Sequence, residues 1–159
     1  MDTLSHALWG KGLFGYRRYR WLPLLFGAVP DLLSFGLYFL YRIVSGSFSL
    51  ASGKPALDQI PEWVFSLYDF SHSLIVACIF ILIAYRFKRE LCFPMLAWPF
   101  HILIDFFTHS VEYFPTPILW PLSSYRFDGV PWSDPRIFYT NIACIFLLFI
   151  YRRKTKNVI

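Results

Sequence analysis

The chain has 159 residues, enough for one domain, and 57% of them are hydrophobic against 16% charged, with a mean hydropathy of +0.48. Soluble domains run near 45–50% apolar and about 25% charged; here the apolar residues fall in long blocks broken by short basic clusters, which excludes an ordinary soluble core and predicts an integral membrane protein. The net charge of +5 is concentrated at Arg17, Arg18 and Arg20, at Arg86, Lys88 and Arg89, and at Arg152, Arg153, Lys154 and Lys156; each cluster abuts an apolar block, so the charge reads as juxtamembrane and no nucleic-acid partner is predicted.

Residues 3–16 read as a short helix with Asp2 or Thr3 as N-cap, carrying His6. At about 21 Å it is short for a full span, and a membrane-inserted helix is expected. No basic leader precedes it, so the N-terminus is expected to be retained. Residues 21–44 form the first long apolar block. Pro30 interrupts it, so a kink or break is expected there, and Asp31 follows with apolar sequence on both sides.

A Ser/Gly/Pro-rich loop occupies residues 45–61. The second long block, 62–85, contains Asp69, Ser71, His72 and Ser73, and a basic turn at 86–90 leads to the third block, 91–112. That block contains His101, Asp105 and His109, each four residues after the last. Steps of four keep residues on one helical stripe. Two imidazoles and a carboxylate among Phe, Ile and Leu are costly to bury unless they bind each other or an ion.

Residues 113–136 hold five of the eleven prolines, with Trp120 and Trp132, and read as a stiff interfacial loop or lid that includes Arg126 and Asp128. The last block, 137–151, is about 22 Å if helical. Cys78, Cys92 and Cys144 form no C-x-x-C pair or even-numbered framework, and are expected to be buried and inert. The predicted architecture is all-α: a polytopic membrane helix bundle, a single domain over 1–159, with four long transmembrane helices (about 21–44, 62–85, 91–112 and 137–151) and the short N-terminal helix.

Placing the three basic clusters on the cytoplasmic side puts eleven basic residues there, Lys11 included, against Arg42, Lys54, Arg126 and Arg136 opposite. This satisfies the positive-inside rule and predicts a multi-pass protein of the inner (cytoplasmic) membrane, with basic loops and C-terminus in the cytoplasm. Counting outward from the basic belt, His6, Asp31, His72, His101 and Asp105 lie 11 to 16 residues away, roughly 16–24 Å if helical. Four segments thus bring them to one membrane depth, with His109 about 12 Å further out than His101. Neutral imidazoles and carboxylates are ligands for zinc, manganese or iron. A divalent metal site is predicted, zinc first and manganese or iron as alternatives. The competing reading is a proton or ion relay, or a transporter or scaffold, built on the same residues.

SHALWG at His6, GAVPDL at Asp31, FSHSL at His72, HILIDFFTHS at His101, Asp105 and His109, and FPTPILWPLS from Phe114 follow one another over about residues 5–123. In these motifs the chain resembles the membrane-bound metal-dependent hydrolases, also known as LexA-binding, inner-membrane-associated hydrolases. Many of those read H-R-G-x-T-H-S where this chain reads Leu67-Tyr68-Asp69-Phe70-Ser71-His72-Ser73, so the first histidine and the arginine are missing. The order of ligands is also distantly similar to zinc-dependent phospholipases C and single-strand nucleases. That similarity implies Asp31, His72, His101 and Asp105 around one ion, His6 on a second with Asp105 bridging, and His109 at a further position. The His-x-x-x-Glu of a third zinc has no counterpart, so one or two ions are expected. The implied activity is hydrolysis of a phosphoester or ester of an amphiphilic, lipid-like substrate through a metal-activated water. Asp69, one turn before His72, is expected to orient that ring or act as a base.

Overall fold

The computed structural model describes residues 1–49 and 53–156 and is all-helical, with six helices and no strand among the described residues. Residues 50–52 of the predicted 45–61 loop, and the last residues of the C-terminus expected in the cytoplasm, lie outside them.

Helix α1 (Thr3–Phe14) starts where Asp2 caps it. The Asp2 carboxylate accepts from the Ser5 amide at 2.9 Å and the Ser5 hydroxyl at 2.6 Å, satisfying a donor the first turn cannot satisfy itself. Helix α2 runs without a break over Leu22–Val44. Pro30 does not end it; the ladder loosens into a π segment at Leu32–Gly36 immediately beyond. The missing Pro30 amide donor is absorbed by this change of winding, so of the kink or break expected there a break does not form. Glycine permits the α1–α2 crossing: a Cβ on Gly27 would overlap the His6 carbonyl.

The predicted second span is two helices, α3 (Glu62–Ser71) and α4 (Leu74–Phe87), bent by 55° at His72–Ser73. Ser73 causes the restart. Its extended backbone and side chain cap α4, accepting from the Val76 amide at 3.3 Å. Helix α5 (Arg89–Thr108) begins with a 3₁₀ turn at Arg89–Leu91 and continues as α-helix through Cys92–Met95 and Ala97–Thr108, so Pro94 and Pro99 are accommodated within one element. It stops at Thr108, and His109 is extended backbone beyond its end. The three-residue stripe expected on one helix is therefore two helical residues plus a cap.

Helix α6 (Pro135–Lys156) is longer than the predicted block. It seats against α1 through Asn141, which donates to Ser5 Oγ at 2.8 Å and accepts from Trp9 Nε1 at 2.7 Å. Arg152 donates to the Gly12 and Leu13 carbonyls at 2.7 and 3.0 Å, which closes the end of α1.

Among the described residues two helices, α2 and α5, are long and apolar enough to cross a membrane, and a third crossing results if bent α3–α4 counts as one. The expectation of four long spans is corrected accordingly. Arg136 near one end of α6 and Arg152, Arg153 and Lys154 near the other leave it a shorter apolar stretch than a span needs. Leu37, Leu40, Leu82, Ile83 and Phe107 are exposed, an outer face suited to lipid. Of the cysteines, Cys78 and Cys144 are exposed rather than buried, and all three are free thiols.

The proline-rich segment is fastened to both sides of the site. Its Ile118 and Trp120 carbonyls accept from the Leu74 amide, at 3.0 Å, and the Ser73 hydroxyl. Further along, the amides of Gly129, Val130 and Trp132 donate to the carbonyls of His109, Phe107 and Thr108 at 2.8, 3.1 and 2.8 Å. These are carbonyls that a helix end leaves without partners. A Cβ on Gly129 would overlap the Phe107 carbonyl. The segment expected as a lid thus acts as a strap that closes α5 and holds His109 in place.

Candidate metal centre

His6, His72, His101, Asp31 and Asp105 are all buried, with at most 4% of each exposed. They come from α1, the α3–α4 bend, α5 and α2. Asp31, His72, His101 and Asp105 form a group that could hold a metal ion, each offering a ligand atom within 4.8 Å of every other. His101 Nε2 lies 3.1 Å from His72 Nε2, 3.2 Å from Asp105 Oδ2 and 3.8 Å from Asp31 Oδ1. His72 Nε2 lies 3.5 Å from Asp31 Oδ1 and 3.6 Å from Asp105 Oδ2. Ligands about 2.0–2.1 Å from a tetrahedral ion stand about 3.3 Å apart. These five separations, 3.1–3.8 Å, bracket that value.

The rings are oriented from behind. His101 Nδ1 donates to the Gly27 carbonyl at 2.7 Å. His72 Nδ1 faces the Tyr68 carbonyl at 3.1 Å and Ser71 Oγ at 3.0 Å, and the Ser71 hydroxyl is itself directed at the Pro30 carbonyl at 3.0 Å. Carbonyl oxygens only accept, so both Nδ1 atoms carry the hydrogen. In the neutral rings both Nε2 atoms then present lone pairs to each other and to two carboxylate oxygens. Such a converging set is repulsive without a cation among it. Asp105 Oδ2, at its centre, has no hydrogen-bond partner among the described residues.

The other Asp105 oxygen has different company. Oδ1 accepts from His6 Nε2 at 2.8 Å and from the Met1 amino group, and His109 Nε2 lies 3.6 Å away. The Met1 ammonium also donates to His109 Nε2 at 3.0 Å, while His109 Nδ1 donates to the Phe114 carbonyl at 2.8 Å. This side already accepts a positive group, and His6 Nδ1 is left without a partner among the described residues. The His6 and His101 rings stack with centroids 3.5 Å apart. His109, which its sequence position put further out, thus reaches the same carboxylate, because the strap turns its ring back.

Asp69 departs from its expected place. Its carboxylate takes a forked pair from Arg126 Nη2 at 3.0 and 3.2 Å, and His72 is oriented by Tyr68 and Ser71 instead. Tyr68, Ser71, Thr3 and the Gly27 and Phe114 carbonyls are supports that sequence reading missed. Tyr68 and Ser71 carried a usable signal, standing four and one residues before His72, where a helix turn brings donors and acceptors to its ring. Thr3 donates to Asp31 Oδ2 at 2.8 Å; the backbone carbonyls leave no signal in residue identity.

A cavity of about 670 Å3 reaches Asp31 and His109, with Phe35, Tyr113, Phe114 and Trp132 in its walls and Lys54 at its rim. No family model, curated protein or solved structure matches this chain.

Proposed function

We propose that the protein is a membrane-embedded metal-dependent hydrolase that acts on a phosphoester or ester of an amphiphilic substrate. The observation that carries the reading is the pair of Nε2 atoms 3.1 Å apart with both Nδ1 hydrogens committed to backbone carbonyls. Neutral imidazoles held this way beside two carboxylates form an N2O2 donor set suited to zinc, with manganese or iron compatible. When bound, the ion supplies Lewis acidity, which activates water near neutral pH and polarises a phosphoryl or carbonyl oxygen.

The chain's own residues do the rest. Asp31 and Asp105 offset the charge of the ion. Gly27, Tyr68 and Ser71 fix the ring tautomers. Asp105 joins the inner set to His6 and His109 through Oδ1, and a second ion on that side would take the place the Met1 amino group now fills. The likeness to membrane-bound metal-dependent hydrolases agrees with this reading and rests on the motifs at His6, Asp31, His72 and His101–His109. The basic bias supports a cytoplasmic side for the clusters at Arg17, Arg86 and Arg152, with the cavity then toward the opposite face of an inner membrane.

Metal analysis of the purified protein tests the proposal. Wild type is expected to carry near-stoichiometric zinc, manganese or iron, and His101→Ala/Asp105→Ala to carry none. Equal background metal in both overturns it and leaves a proton shared between His72 and His101 as the alternative. If metal is present, a screen of phospholipid and generic phosphodiester substrates follows. A loaded protein inert to all of them favours transport or a structural site.

A further inference from the structure

The cavity beside the cluster is amphipathic along its length. Its lining runs from buried Asp31 and Phe114 through half-buried His109, Phe35 and Trp132 to exposed Lys54. Lys54 is the one cationic side chain in its lining among the described residues, and the other positive group there, the Met1 amino group, is engaged by Asp105 and His109. The rim is anchored rather than loose. The Lys54 ammonium sits 3.3 Å from the centroid of the Tyr113 ring, and the Tyr113 hydroxyl donates to the Pro55 carbonyl at 3.2 Å. The loop carrying the charge is thereby tied to the strap that holds His109. Of the two carboxylates that also line the cavity, Asp2 is occupied in capping α1, and Glu112 is exposed at the edge.

We propose that this cavity is the head-group chamber of the site, and that Lys54 binds an anionic phosphoryl oxygen of the substrate while the aromatic walls take the start of its apolar tail. This rests on the hydrolase reading for the identity of the site. It adds the residue that selects the head group. An ammonium resting on an aromatic face keeps its N–H donors on the free side, available to a phosphoryl oxygen that reaches past it toward Asp31 and His109. The chamber requires both parts of the ligand: a charged head for Lys54 and an apolar tail for Phe35 and Trp132.

The test is binding, not turnover. Radiolabelled dodecylphosphonate, whose C–P bond is not a phosphoester, is titrated onto the full chain in dodecyl maltoside, with methylphosphonate and dodecanol as competitors. Dodecylphosphonate is expected to bind saturably, and Lys54→Glu to weaken it about tenfold or more, the loss typical of one charge-assisted hydrogen bond. Lys54→Arg is expected to keep binding within a few-fold. Unchanged binding in Lys54→Glu overturns the role of Lys54. Competition by methylphosphonate as strong as by dodecylphosphonate shows a free-phosphate site and overturns the chamber. Equal competition by dodecanol shows an apolar groove and does the same. Metal content of the same samples separates the two proposals. Lys54-dependent binding to a protein that carries no metal keeps the chamber and sinks the hydrolase. A wild-type metal load with Lys54-independent binding keeps the hydrolase and sinks the chamber.

Discussion

The two oxygens of Asp105 face two differently built half-sites. Around Oδ2, His72 and His101 are locked from behind by the Gly27 and Tyr68 carbonyls and by Ser71, and nothing within the described residues donates to that oxygen. Around Oδ1, the partners are the chain's own positive or donating groups, His6 and Met1, with His109 held by the strap. The inner half is a group that could hold a metal ion, with its two rings already oriented. In the outer half Oδ1 is satisfied by the protein, and the cavity reaches His109 of this half as it reaches Asp31 of the inner one. An inner ion is therefore expected to bind tightly and an outer one to be exchangeable.

The largest effect follows from removing the shared residue. Asp105→Ala takes a ligand from both halves and is expected to abolish metal binding, whereas His109→Ala should leave the inner ion in place. Metal content per protein reads this directly. Loss of all metal in His109→Ala would merge the halves into one site and break the distinction.

Next in size is the strap. Gly129→Ala pushes a Cβ into the Phe107 carbonyl and disturbs the hydrogen bonds that close α5, at a cost of about 1–3 kcal/mol. A lowered thermal midpoint is expected, with His109 released and the inner ion retained. An unchanged midpoint would show that the strap can move away cheaply, which is the behaviour of a lid.

Ser71→Ala probes the orientation of the inner half alone. It removes one of the two groups facing His72 Nδ1 and keeps the Tyr68 carbonyl. Loss of a ligand's supporting hydrogen bond typically costs 10–100-fold in metal affinity, and the surviving carbonyl sets the expectation near about tenfold. Chelator competition measures it. The matching change at the other inner carboxylate, Thr3→Val at Asp31 Oδ2, is expected to do less, because the Asp31 oxygen that faces the histidines is Oδ1.

How far the sequence reaches follows the same division. The inner half was legible in part: Asp31, His72, His101 and Asp105 were among the five ionisable residues, His6 included, that spacing brought to one depth, and burying them demands a partner; that these four share one ion was implied only by the resemblance. His109 was visible as a residue but not in its place, since its approach depends on α5 ending at Thr108 and on a strap whose bonds run through backbone. The 55° bend was hidden inside an unbroken apolar block. Its cause, a capping Ser73, is a weak signal amid hydropathy that reads as one span. The fourth span failed for a related reason. The 137–151 block looked like a short crossing, but α6 extends into charged residues at both ends. The Oδ1 partnership with Met1 has no periodicity to betray it.

The smallest effect is expected at Asp69. Spacing alone put it one turn before His72 and made it a candidate base, but its carboxylate is engaged in the forked pair with Arg126, whose Nη1 also donates to the Pro115 carbonyl at 2.6 Å. That places Asp69 among the groups that hold the strap, outside both halves of the centre. The pair is part-exposed, about 32% for Arg126 and 22% for Asp69, where such an interaction contributes about 1 kcal/mol or less. Asp69→Asn keeps the shape and removes the charge. It should lower the thermal midpoint slightly and leave metal content unchanged; Arg126→Gln, which also loses the Pro115 hydrogen bond, should lower it somewhat more, and the double variant should be no less stable than Arg126→Gln alone. A general base would behave differently: its loss typically costs 10²–10⁴-fold in rate with no change in stability, and Arg126→Gln would not reproduce it. A rate loss of that size in Asp69→Asn alone, once a substrate is in hand, would move Asp69 from the strap to the chemistry.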